Sequence, residues 1–310
     1  MREGLDLSSG FFFVNKPGGI TSSDLVLKIK RRLNLKSMGH TGTLDRFAEG
    51  LLILPFGHYT AFSQIFLGKD KTYLAQVEVG HRTDSGDPDG GVEPGDESLA
   101  LSRFRSEFTK TRLDAELSQI LGWKSQNAPK ISALKVGGFR QSDLVRSGVE
   151  VAEKKRSIQI HSVEIVDRNE IGFSFRVHVS SGTYIRKIVQ DLSLLWDLPM
   201  HLSSLKRETI GDYRLEWAKD GDQVELSDKK DWREVFPLPA RTLDNMEKKA
   251  VIHGGYLWDR LPDGAEHGFY LLDGDSDQIL AWCTYESKPS HLPYRYRKVF
   301  FDHTRENYVF

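Results

Sequence analysis

His40, Thr41, Thr43 and Asp45 crowd one short loop, Gly39-His40-Thr41-Gly42-Thr43-Leu44-Asp45, the densest set of reactive side chains in the sequence. A carboxylate there is ionised at neutral pH and can attack an electrophile or stabilise charge that develops as a bond breaks. Loops held on rigid elements are where such chemistry concentrates. Taken alone, the segment is better explained as a turn: the glycines shape the backbone, Asp45 accepts from a local amide and His40 faces solvent. Other chemistries lack their residues. The G-x-x-G is not followed by the Lys-Ser/Thr of a phosphate loop, and G-x-G-x-x-G, H-E-x-x-H and G-x-S-x-G do not occur. One cysteine, Cys283, and scattered histidines offer no metal-ligand spacing, so no metal and no cofactor is expected.

The elements that must position this loop are legible from hydrophobic period. Before it, Phe11-Phe12-Phe13-Val14 reads as a buried strand stopped by Pro17-Gly18-Gly19. Ser22 or Ser23 then caps a helix with Leu25, Val26, Ile29 and Leu33 on one face and Lys28, Lys30, Arg31 and Arg32 on the rest. After it, Leu51 to Leu54 is an apolar strand, and Tyr73, Ala75, Val77 and Val79 alternate along another. An acidic, Gly-rich loop runs from Asp84 to Asp96, and two helical patterns come next, around Phe104/Phe108 and Leu113/Leu117. Ile171 to Val179 has a period of two throughout, and beyond Ser181-Gly182 a helix capped by Thr183 buries Ile185, Ile188, Val189 and Leu192. A charged stretch and then Pro237 and Pro239 mark a boundary, which gives domains 1–238 and 239–310, the second with a helix from Asn245 to Ile252 and strands around Phe269 and Ile279.

The composition is that of an ordinary globular chain, with 39% apolar and 28% charged residues. Lys+Arg 43 against Asp+Glu 44 leaves a net charge of −1, so no global field announces a polyanion, and any must be held by local patches. The opening residues lack a signal-peptide core, and no apolar run approaches the roughly 18 residues that would span a bilayer. The expected location is the cytoplasm, with no membrane contact.

Five segments change the reading of the loop when taken together. Val14-Asn15-Lys16-Pro17-Gly18-Gly19-Ile20-Thr21-Ser22 and the His40–Asp45 loop resemble the opening and catalytic motifs of the TruB family of tRNA pseudouridine synthases. Lys71-Thr72-Tyr73 with Gly80-His81-Arg82-Thr83-Asp84, then Ser132-Ala133-Leu134-Lys135-Val136-Gly137-Gly138, and Ser181-Gly182-Thr183-Tyr184-Ile185-Arg186 are similar to its later motifs, in order. Two positions depart from the family pattern: Arg46 where proline is usual, and Ile131 where an aromatic is common.

The resemblance implies an α+β pseudouridine-synthase fold: a mixed, mainly antiparallel central sheet flanked by helices, with a small C-terminal β-rich module of PUA type. It implies isomerisation of a T-loop uridine of tRNA with the base flipped out, by a stand-alone monomer without guide RNA. Asp45 is then the nucleophile, Arg186 the arginine that holds it, and Tyr73 the ring against the extruded base. His40 occupies the space the base leaves, and Leu205 belongs to an apolar active-site segment. Lys16, Thr43, Arg31, Arg32 and Lys206 are the expected RNA contacts. The basic helix, Lys16 and Lys206-Arg207 should share one face around Asp45, with the acidic loop turned elsewhere. A non-catalytic RNA-folding protein of the same fold, or a guide-dependent synthase, are the rival readings.

Overall fold

Phe11, Phe12, Phe13 and Val14 are all buried, so β1 (Gly10–Lys16) is covered on both faces, as an unbroken apolar run requires. The computed structural model describes residues 9–127, 135–136, 139–140, 155–255, 257, 262–265, 268–285 and 294–300. Helix α1 (Ser22–Arg32) lays Leu25, Val26 and Ile29 against Phe12 and Val14 and against Leu52 and Leu54 of β2 (Glu49–Phe56). Next along the chain are β3 (Lys71–Val79), helices α2 (Glu97–Glu107) and α3 (Lys110–Ser118), and the hairpin β4 (Ile160–Arg168) and β5 (Gly172–Val179). Helix α4 (Ile185–Leu195), the long β6 (Met200–Ile210) and the short β7 (Tyr213–Arg214) and β8 (Lys219–Asp220) complete this part.

These strands form one eight-stranded sheet in the order β8-β1-β2-β6-β3-β5-β4, with β7 paired to β6. β2 and β6 run parallel, as do β1 and β8, whereas β6, β3, β5 and β4 are antiparallel neighbours. Alternation sets the two faces of that antiparallel half. Phe173, Phe175, Val177 and Val179 are buried in a core shared with Phe104, Leu113, Ile188 and Leu192 of the helices, while Ser174, Arg176 and His178 lie on the other face.

Two expected helix caps are replaced. Thr21, not Ser22 or Ser23, caps α1: its Oγ1 accepts from the Asp24 amide at 3.1 Å while Asp24 accepts from the Thr21 amide at 3.3 Å, a reciprocal capping box. Thr183 does not cap α4, because its hydroxyl donates to the Ser180 carbonyl at 2.9 Å and the cap position is Tyr184. Gln126 serves Tyr184 instead, accepting from its amide and donating to its carbonyl, both at 2.9 Å. Of the hairpin motif around Ser132, only Lys135–Val136 is among the described residues, paired antiparallel with Phe139–Arg140; Ser132 and the Gly137-Gly138 turn lie outside them. No described helix is long and apolar enough to cross a membrane.

The chain divides into two compact units, the second being Lys230–Phe310 with Ser8–Phe11. The break falls before Pro237 because the segment from Lys230 packs with the strands C-terminal to it: Trp232 lies edge-on to Tyr270, with ring centroids 4.6 Å apart. In this unit β9 (Ala240–Leu243), β10 (Phe269–Asp273), β11 (Ile279–Tyr285) and β12 (Tyr294–Val299) form a four-stranded sheet in that order, accompanied by α5 (Asn245–Ile252). Its core holds Leu243, Val251, Phe269, Leu271, Tyr294 and the buried Cys283, whose thiol burial pushes up to about 12.

Candidate active site

The loop that carries Asp45 is pinned on both sides by buried polar side chains. Ser22, fully buried on the first turn of α1, accepts from the Leu44 amide at 2.9 Å and donates to the Leu44 carbonyl at 3.1 Å. Lys16 at the end of β1 donates to the carbonyls of Pro17 at 2.8 Å, Ile20 at 2.7 Å and Arg46 at 3.3 Å. From the far side Arg207 of β6 donates to the Leu51 carbonyl at 2.8 Å and the Gly42 carbonyl at 3.1 Å. The parallel β2–β6 contact beside it is tight enough that a Cβ on Gly50 (φ +105) would stand 2.3 Å from the Arg207 carbonyl oxygen. Only glycine fits there.

Asp45 is thereby presented to Arg186 on the first turn of α4. Arg186 donates through Nε to Oδ2 at 2.8 Å and through Nη2 to Oδ1 at 3.2 Å, a two-bond fork. The Arg186 side chain is 4% exposed and that of Asp45 37%, so the cation is enclosed by the protein while the anion's side chain reaches the surface. The third arm of Arg186 turns to the acidic loop: Nη1 donates to the Ser85 carbonyl at 3.1 Å and pairs with Asp87 Oδ2 at 3.0 Å. Asp87 is itself buried and fixed by the Ser85 hydroxyl at 2.6 Å and the Asp89 amide at 3.1 Å. The acidic loop therefore does not turn away from Asp45 as expected; one of its carboxylates completes the clamp on Arg186.

A cleft of about 280 Å3 opens over this pair, lined by Thr43, Asp45, Lys71, Tyr73, Tyr184, Arg186, Leu205 and Arg207, among others. Sheet register puts Tyr73 directly across from Arg207 and Leu205 across from Ala75, so β3 and β6 build its floor together. Leu205 serves both readings, lining the cleft and packing in the core. Lys71 is buried beneath, its ammonium donating to the carbonyls of Phe66, Leu67 and Lys69, and burial lowers it to about 8.

Three of the expected RNA contacts fall elsewhere. Lys16 has no exposed surface, so it supports the loop and does not reach RNA; burial lowers its ammonium to about 8, against the opposing pull of Glu49 and Asp45. Arg32 is spent on the carbonyls of Gly221, Asp222 and Val224. Lys206 alternates with Leu205 and Arg207 and therefore lines a hollow on the opposite face of the sheet. His40 is half-buried in the loop without lining the cleft, and Arg31 is exposed on the last turn of α1. Sequence reasoning missed Ser22 as a clamp and the parts played by Asp87 and Lys71; Arg207 was expected near Asp45 as a surface charge and is instead buried on backbone carbonyls. Their chain neighbours flagged them, but not which way each side chain turns.

Solved structures share this fold, a mixed sheet flanked by helices, which here holds an arginine-paired aspartate at the mouth of a cleft. A Cbf5-Nop10-Gar1 complex superposes with a TM-score of 0.63 at 20% identity over 95% of this chain and 86% of the other. An H/ACA RNP bound to a substrate RNA gives 0.60 at 20% identity over 96% and 86%. Residues 30–185 match the model of the TruB family pseudouridylate synthase N-terminal domain. The tRNA pseudouridine synthase B of Leptospira interrogans (serovar copenhageni) is 39% identical over 302 residues, 94% of each chain. That of Geobacillus kaustophilus is 34% identical over 268 residues, 82% of this chain and 91% of the other. The chain belongs to the TruB family of pseudouridylate synthases, enzymes of the isomerase class.

Proposed function

We propose that this chain converts a T-loop uridine of tRNA to pseudouridine, as a monomer acting without a guide RNA, with Asp45 as the nucleophile. In that reaction the bond from the ribose C1′ to N1 of uracil breaks, the base turns, and C1′ bonds to C5. The proton on C5 is released and N1 gains one, so the product is an isomer and no cofactor is consumed. A base inside a folded loop cannot be reached by this carboxylate, so it must be extruded into the cleft, where the Tyr73 ring offers a stacking surface and Leu205 an apolar wall. Asp45 either bonds to the sugar or base or balances the charge on the sugar as the bond opens.

The observation that carries this reading is the asymmetry of the Asp45–Arg186 pair, a buried, doubly anchored guanidinium holding a carboxylate that faces the cleft. Substrate class comes from the relatives, which are named for tRNA. The second unit, with its small sheet, is read as a PUA-type RNA-binding module that adds grip on the substrate. The test is incubation of the pure chain with an unmodified T-arm hairpin and no guide RNA, and then quantification of pseudouridine. Asp45→Asn should bind the hairpin as the parent does and form no product. Binding without turnover by the parent chain would instead make it an RNA-folding protein.

A further inference from the structure

We propose that Asp70, His161 and His178 form a binding site for one divalent transition-metal ion, with Zn2+ as its natural probe. The site lies apart from the cleft, at the end of the sheet where β3, β5 and β4 run side by side, and none of the three residues lines the cleft. Their ligating atoms all lie within 4.8 Å of one another. His161 Nε2 stands 3.0 Å from Asp70 Oδ2, and the rings of His161 and His178 are 4.7 Å apart between centroids.

The backbone has made an irregularity at this point that regular pairing would not give. On β4, Ile160 pairs with Val179 and Ser162 with His178, which leaves His161 as the extra residue of a β-bulge. Strict alternation would send His161 to the face opposite Ser162; a bulge re-aims the side chain. Here it brings His161 onto the face of His178, beside Asp70 at the foot of β3. Two imidazoles and one carboxylate are the donor set of Zn2+ and its neighbours in the first transition row, whereas Mg2+ and Ca2+ call for oxygen alone. All three side chains are partly exposed, so an ion can enter and keep a water in its fourth position. On the same face Arg176 is already paired with Glu164 and Glu208, each at 2.8 Å.

An ion here would tie three strands together immediately before Lys71, which anchors the carbonyls of the preceding turn, and three residues before Tyr73. Its role is structural, stiffening the start of the strand that carries one wall of the cleft. The test uses the untagged full chain, stripped with a chelator and titrated with Zn2+ by calorimetry and with Co2+ by absorption spectroscopy. One ion per chain should bind, Co2+ should give the intense visible bands of a four-coordinate site, and Zn2+ should raise the melting temperature. His161→Gln and His178→Gln should each weaken Zn2+ at least about tenfold and remove the melting shift. Unchanged affinity in the double variant, or no saturable binding below about 100 µM in the parent chain, overturns the proposal and leaves Asp70 and His161 as a surface ion pair. Should the variants unfold, an octahedral Co2+ spectrum from the parent chain overturns it equally.

Discussion

Arg186 has two carboxylate partners, and they do different jobs. Asp45 is open to the cleft; Asp87 is buried and itself fixed by two hydrogen bonds, so it sets where the guanidinium can be. A fork fixed before substrate arrives needs no reorganisation as charge develops, which is where enzymes gain most electrostatically. Asp87→Asn keeps the shape and removes the charge that holds Nη1. It should lower kcat by about 10- to 100-fold, the range expected from losing one charge-assisted hydrogen bond, with tRNA affinity within about twofold of the parent. Single-turnover product formation beside filter binding measures both, with the exposed Asp89→Asn as the control that should change neither. A parent-like kcat in Asp87→Asn would return the acidic loop to a solvated role. Arg186→Lys should cost more, because a point charge cannot span Asp45 and Asp87 at once. Tyr73→Phe keeps the ring and Tyr73→Leu does not, so activity in Phe and its loss in Leu would assign Tyr73 to stacking; parent rates in both would make it a strand residue only.

At the scale of elements, the Asp45 loop owes its shape to buried polar side chains on three other elements, Lys16, Ser22 and Arg207. Ser22→Ala removes both bonds to Leu44 and leaves a buried amide unpaired, which should cost about 1–3 kcal/mol in urea unfolding and slow turnover without touching the cleft. Unchanged stability would mean the loop is held by Lys16 and Arg207 alone. Lys16 adds a pH signature. With the folded ammonium at about 8 and the unfolded one at its ordinary 10.5, the unfolded chain holds a proton that the folded chain has shed across that interval. Stability from this residue therefore rises with pH between about 8 and 10.5. The difference in unfolding free energy between the parent and Lys16→Met should grow over that window, and a flat difference would refute the shifted lysine. These elements were largely legible beforehand: period two located β3 and β5, and period 3.6 located α1 and α4. What period cannot give is side-chain direction at an element's end. Thr21 and Ser22 are equally good caps by type, and only the packing of α1 against the loop decides that Thr21 caps while Ser22 turns inward. Likewise, which of Asp84, Asp87, Asp89 and Asp96 turns toward Arg186 depends on contacts about a hundred residues apart in sequence.

For the whole molecule, the question is how a chain of net charge −1 grips a polyanion. Several of its cations are already committed to the fold: Lys16, Lys71 and Arg207 are buried on carbonyls, and Arg32 holds the 221–224 turn. That removes them from any count of phosphate contacts. On α1 it leaves Lys28, Lys30 and Arg31; none forms an ion pair among the described residues, and Lys28 and Arg31 are the exposed ones. Ser22 on the first turn of this helix touches the Asp45 loop, so α1 starts beside it. Each phosphate contact releases counterions, so removing one flattens the dependence of log affinity on log salt by somewhat under 1. Lys28→Ala with Arg31→Ala should therefore weaken tRNA binding and lower that slope by about 1–2, with the melting temperature unchanged. Arg32→Ala should do the reverse, lowering stability because three carbonyls lose their donor while the salt slope stays put. Affinity measured across salt concentrations on full-length tRNA, beside thermal melts of the same variants, separates the two. An unchanged slope in the Lys28/Arg31 variant would move the electrostatic grip off α1 to other surfaces of the chain.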